Sequence, residues 1–153
     1  MENNKFTSQK EPVLINGNIS VDDRGSVTFC NDFNFEGVKR AYMVENHNKG
    51  FIRAFHYHDF EGKYVSVVNG TILLYTVKVN KEDLDKSEVK KFILSSKKPQ
   101  ILFIPKSYAN GFKTLTDDTK IIFYSTSTLE ESLGDDIRYP YNQWGNNWEE
   151  DYR

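Results

Sequence analysis

The stretch Gly50-Phe51-Ile52-Arg53-Ala54-Phe55-His56-Tyr57-His58-Asp59-Phe60-Glu61-Gly62-Lys63 decides how this chain is read. Its first half is rich in aromatic and branched residues, which suit a pleated surface, so a strand is expected over Phe51–Tyr57. Successive side chains on a strand project to opposite faces, which puts His56 and His58 on one face and their aromatic neighbours on the other. That shared face is expected to line the interior or mouth of a barrel. Arg53 and His56 have opposite parity on an ideal strand, so both reach one cavity only if the strand bulges or bends between them.

On either side of this stretch lie short β-prone runs at Pro12–Ile15, Ser26–Cys30, Val38–Val44, Tyr64–Val68, Thr71–Val79, Val89–Leu94, Ile101–Ile104, Gly111–Leu115 and Lys120–Thr126. Turn signals separate them: Asp23-Arg24-Gly25, Asn48-Lys49-Gly50, Asn69-Gly70 and Asp117-Asp118. Many short strands at regular spacing predict an all-β barrel or sandwich. Asn69-Gly70 between two β-branched runs predicts a tight hairpin whose flanking strands pair. Residues 80–87 read as a charged loop or a single helical turn, and Leu129–Leu133 as another. The aromatic tail Tyr139-Pro140-Tyr141, Trp144 and Trp148 is expected to pack on the barrel wall or a partner subunit. Residues 1–10 are polar and aperiodic and are expected to form a flexible or swapped arm before one domain over 11–153.

With 153 residues the chain fits one domain with one core. A net charge of -2 gives no reason to expect nucleic acid or an anionic membrane as partner. Cys30 is alone, the N-terminus lacks an apolar leader, and no run approaches the roughly 20 apolar residues of a spanning helix; these features predict a cytoplasmic protein.

Two histidines and a lysine suit proton transfer next to a ketone. Imidazole titrates near neutrality and serves as a base, while an ammonium stabilises the enolate oxygen as charge develops. His56 is the candidate base and Lys63 the candidate enolate partner. Arg24 and Arg53 are the candidates to hold a diphosphate. A lone strand histidine is commonly structural, and His58 can equally be read so.

The spacing Gly50-x5-His56-x-His58-x4-Lys63-x6-Gly70 resembles the first cupin motif, whose Glu is here Lys63. The second cupin motif corresponds to Pro105–Asn110, with Asn110 in place of its His. Two of four ligands are therefore missing where a metal needs at least three, and no metal is expected.

Longer stretches resemble a particular family. Asp23-Arg24-Gly25, Glu45-Asn46-His47, the run Gly50–Tyr57, Gly62-Lys63-Tyr64-Val65, Ile104-Pro105 through Ala109-Asn110-Gly111-Phe112, and Ile122-Phe123-Tyr124 are similar to ordered motifs of the dTDP-4-dehydrorhamnose 3,5-epimerases. The resemblance covers about residues 22–140. It implies a cupin-type jelly roll that works as a homodimer without a cofactor on a nucleotide-diphosphate 4-keto-6-deoxy sugar. It also implies that His56 is the base, Lys63 the enolate-stabilising lysine and Tyr124 the acid on the opposite face. Arg24, Asn46, Arg53, His58 and Asn110 become substrate contacts.

Departures accompany the matches. Asn110 replaces a His, Phe29 a substrate-contacting Glu, and Glu130 a second Tyr; the family's Asp that orients the base comes from a C-terminal segment beyond the resemblance, and which residue takes its place is left open by the sequence. Lys39-Arg40-Ala41-Tyr42 and Arg53–His58 also resemble the related 3,4-ketoisomerases, which makes ketoisomerisation the alternative reaction. A non-catalytic sugar-binding cupin and a metal-dependent oxygenase are the readings from other classes.

Overall fold

Alternation of buried and exposed side chains organises the computed structural model into two five-stranded antiparallel sheets packed face to face. It describes residues 6–35, 37–145, 148–151 and 153. The strands are β1 (Val13–Asn16), β2 (Asn18–Asp22), β3 (Gly25–Phe29), β4 (Arg40–Asn46), β5 (Ile52–His58), β6 (Lys63–Asn69), β7 (Thr71–Lys78), β8 (Glu88–Ser95), β9 (Gln100–Ile104), β10 (Tyr108–Thr114), β11 (Thr119–Ser125) and β12 (Ile137–Arg138). One helix, α1 (Leu129–Leu133), and a 3₁₀ turn at Leu84–Lys86 complete the described elements. The first sheet runs β1-β9-β6-β11-β4, the second β12-β5-β10-β7-β8, and β2 pairs with β3 in a separate hairpin. The strand spacing predicts a barrel or sandwich, and the arrangement found is the jelly roll that the family resemblance implies.

The sheets bury Val65, Ile72, Leu74, Leu102, Ile104, Phe112, Ile121 and Phe123 between them. Full burial of such a side chain contributes about 1.5–3 kcal/mol. The alternate residues of the same strands pack on the outer faces. Tyr64, Ile101 and Phe103 cover the outside of the first sheet with Phe6 and Ile15. Phe55, Tyr57, Leu73, Tyr75 and Val77 cover the outside of the second, under Trp148, with Trp144 beside them. Trp144 Nε1 donates to Leu84 O and Trp148 Nε1 to Tyr141 O, so each indole nitrogen is satisfied. Residues 1–5 of the expected arm lie outside the described residues, while Phe6 is buried with its ring edge-on to Tyr64.

The hairpin expected at Asn69-Gly70 is not formed. β6 belongs to the first sheet and β7 to the second, so this turn is the corner where the chain changes layers. A type I′ turn needs positive φ at both central residues. Only Gly70 has it, at +86°, and the Asn69 side chain instead donates to Asp118 O across the corner.

Candidate active site

The candidate site lies between β4, an edge of the first sheet, and β5, which lies next to the short edge strand β12 of the second. His56 and His58 project inward from β5, as their shared parity requires. Between Arg53 and His56 the strand carries one residue more than its partner β10, since Asn110 pairs with His56 and Phe112 with Arg53. This bulge reverses the parity and turns Arg53 to the same side as His56. Arg53 Nε donates to Asn46 Oδ1 at 2.8 Å, joining β5 to the end of β4. Gly111 makes the bulge possible, because a Cβ there would lie 2.3 Å from the Cβ of Ala54 and 2.9 Å from its Cα.

Behind His56 stands a carboxylate that the sequence reading did not find. Asp136 Oδ1 lies 3.3 Å from His56 Nδ1, and Arg138 Nε donates to Asp136 Oδ2. β12 pairs Ile137 with Tyr57 and Arg138 with His56, and this pairing delivers Asp136 to the imidazole across 80 residues of sequence. With Nδ1–H directed to the carboxylate, Nε2 is left as the free base. Burial pushes the His56 pKa below its ordinary value, the Asp136 contact opposes the shift, and Lys63 adds to it. The ring is therefore neutral at physiological pH and able to accept a proton.

Beside it, Lys63 is buried at the start of β6, and burial pushes its pKa down while Glu61 resists. Glu61 also escaped the sequence reading. Its carboxylate is fully enclosed and accepts from Ser125 Oγ at 2.6 Å, Ser132 Oγ at 2.7 Å and Arg40 Nη2 at 3.4 Å. Lys63 Nζ is 4.0 Å away. A carboxylate without water is tolerated only with such partners, and in return it offsets the charge of buried Lys63 and half-buried Arg40. Helix α1 supplies Ser132 and is held by a capping box between Thr128 and Glu131. The adjoining Asp135 accepts from the amides of Asp59 and Phe60, which closes the loop that presents Glu61.

His58 is only 4% exposed and lies beneath this cluster, its Nδ1 3.2 Å from Glu61 Oε2 and its Nε2 3.8 Å from Asp136 Oδ1. It touches the carboxylates rather than the open cavity. Asn110 faces inward beside His56 and donates to its carbonyl at 3.4 Å. Two expected residues do not join the cluster. Tyr124 alternates with the inward Phe123 and Ser125, so it points outward, where its ring meets Phe33 and Phe35. This corrects its assignment as the acid of the site. Arg24 sits at the tip of the β2–β3 hairpin with its side chain 85% exposed and paired to Asp22, away from His56. Among the described residues no group of three or more His, Cys, Asp or Glu is arranged to hold a metal ion.

A jelly roll with a carboxylate-backed imidazole next to a buried ammonium defines a cupin-type protein built for proton transfer. The family profile of dTDP-4-dehydrorhamnose 3,5-epimerase matches residues 7–152, and the chain belongs to that family. It is thereby an epimerase of the isomerase class. The spore coat polysaccharide biosynthesis protein SpsL of Bacillus subtilis (strain 168) is 26% identical over 107 residues, spanning 68% of this chain and 71% of that one. The solved dTDP-4-dehydrorhamnose 3,5-epimerase of Sulfolobus tokodaii superposes with a TM-score of 0.73 at 25% identity, over 89% of this chain and 81% of the other. The enzyme of that name from Bacillus anthracis, solved with TDP and pyrophosphate, has a TM-score of 0.74 at 22% identity, over 90% and 85%.

Proposed function

We propose that this epimerase inverts a carbon next to the C4 ketone of a nucleotide-diphosphate 4-keto-6-deoxyhexose, with His56 as base and Lys63 as the partner of the enolate oxygen. The observation that carries the reading is the pairing of His56 with Asp136 beside the buried Lys63. Carbon next to a ketone is weakly acidic, so the rate depends on placing a neutral base and stabilising the enolate. A cation already stripped of water does the second task with little reorganisation. Arg53, held by Asn46, offers a positive charge further along the cavity for the diphosphate, and Asn110 a polar contact beside the base.

The test is incubation with dTDP-4-keto-6-deoxyglucose in deuterated water, followed by NMR. The protein is expected to incorporate deuterium at C3 or C5, and His56→Ala to slow this by at least about 100-fold. No incorporation with dTDP- or GDP-linked 4-keto sugars would reject the reading. A product whose carbonyl has moved to C3 would replace epimerisation by 3,4-ketoisomerisation.

We further infer a cytoplasmic homodimer. The single Cys30 fits a reducing compartment. The β2–β3 hairpin leaves Val21 75% and Val27 65% exposed, and a lone hairpin of this kind is marginal until another surface covers it. A second copy docking there would also acquire Arg24.

A further inference from the structure

Inversion requires a proton delivered to the ring face opposite the base, and Tyr124, on the outside of the barrel, cannot deliver it. We propose that Tyr42 is the catalytic acid of this site, an assignment that rests on the epimerase reading above.

Placement singles out this residue. On β4 the inward residues alternate as Arg40, Tyr42, Val44 and Asn46. The two ends of this row are tied to the opposite wall: Arg40 reaches Glu61, which touches His58, and Asn46 reaches Arg53. Between His58 and Arg53 the opposite wall presents His56. Between Arg40 and Asn46 the β4 wall presents Tyr42 and Val44. Of these two only Tyr42 carries a proton to give, and its place in the row sets it on the wall that faces the imidazole.

The surroundings of the phenol suit a donor. Its ring stacks on Phe123 at 5.1 Å and 9°, and the Arg40 guanidinium lies 4.7 Å above the ring. Among the described residues no hydrogen bond occupies its hydroxyl, which leaves it available to a ligand. Burial first, then the charges of Glu61 and Asp136, keep the phenol protonated well beyond neutral pH. Asp136 is the partner of His56, so phenol and base sense the same carboxylate.

His56 Nε2 takes the proton, and the C–H electron pair becomes the enolate double bond, its oxygen charge facing Lys63. The Tyr42 hydroxyl then gives its proton to the same carbon from the other side, and its bonding pair stays on oxygen as a phenolate near Arg40. Water returns a proton to the phenolate and removes one from the imidazolium, so the enzyme is regenerated with no co-reactant.

Exchange and inversion separate the two roles. With dTDP-4-keto-6-deoxyglucose in deuterated water, Tyr42→Phe is expected to retain solvent exchange within a few-fold while inversion falls at least about 100-fold. Retained exchange also proves that the variant folds. Inversion at the parental rate in Tyr42→Phe overturns the proposal, as does inversion that is lost in Tyr124→Phe and kept in Tyr42→Phe. If Tyr42→Phe loses both activities, Arg40→Met decides: inversion slowed more than exchange supports the phenolate, and equal slowing overturns it. Absence of exchange in the parent protein removes base and acid together, whereas normal inversion by Tyr42→Phe removes Tyr42 alone.

Discussion

At His56, three neighbours set the state of one ring. Burial and Lys63 disfavour the imidazolium, and Asp136 favours it, with a net pKa below the ordinary value of about 6.5. A base must be neutral to act, so the exchange rate rises with pH, passes its midpoint below pH ~6.5 and levels off above it. Asp136→Asn removes the group that favours the imidazolium, so the midpoint moves to lower pH. The same change releases the tautomer that leaves Nε2 free, and the plateau falls by roughly 10²–10⁴. A pH profile of deuterium incorporation measures both; a midpoint that stays in place or rises contradicts the pairing. Asp136 was not legible beforehand, because nothing in a local pattern tells an Asp near a chain end that a two-residue strand will carry it to a histidine. Glu61 lies within the opening stretch, yet its neighbours Arg40, Ser125 and Ser132 come from three distant segments.

For strand β5 the decisive feature is the bulge, which lets Arg53 and His56 serve one cavity. The need for it followed from parity, and Gly111 shows how it is accommodated: β10 gives up a side chain where β5 swells. Gly111→Ala forces a methyl against Ala54, at an expected cost of about 1–3 kcal/mol. Urea unfolding reads this as a lower midpoint at unchanged slope. Stability equal to the parent would mean that the strands separate freely there and that the bulge is not held by close approach. The corner at Asn69-Gly70 teaches the converse. The dipeptide marks a turn, but which strands meet across it depends on where the next partner lies, and β11 and β10 claim β6 and β7 separately.

Over the whole molecule, burial is uneven. Strand β7 is buried on both faces, whereas β2 and β3 are almost wholly exposed. A sheet of two strands cannot shield its own apolar residues, which is the physical reason to expect a second copy. Sedimentation equilibrium is expected to give twice the chain mass, and Val21→Asp with Val27→Asp to give the single-chain mass. A monomeric parent protein would leave the hairpin to another role and Arg24 outside the chemistry.

Local spacing and parity were enough to mark most of the strands and the inward imidazoles, since side-chain direction in a strand follows from its two-residue period, while the ordered motifs carried the resemblance to the family; β2 and the two-residue β12 left no such signal. What surrounds those groups was decided by the packing of distant segments. The imidazole acquired its carboxylate, the ammonium its buried counter-charge, and Tyr124 its outward place only when the two sheets and β12 came together. Contacts between remote segments carry no periodic signature in the chain, so they appear only when the fold is closed.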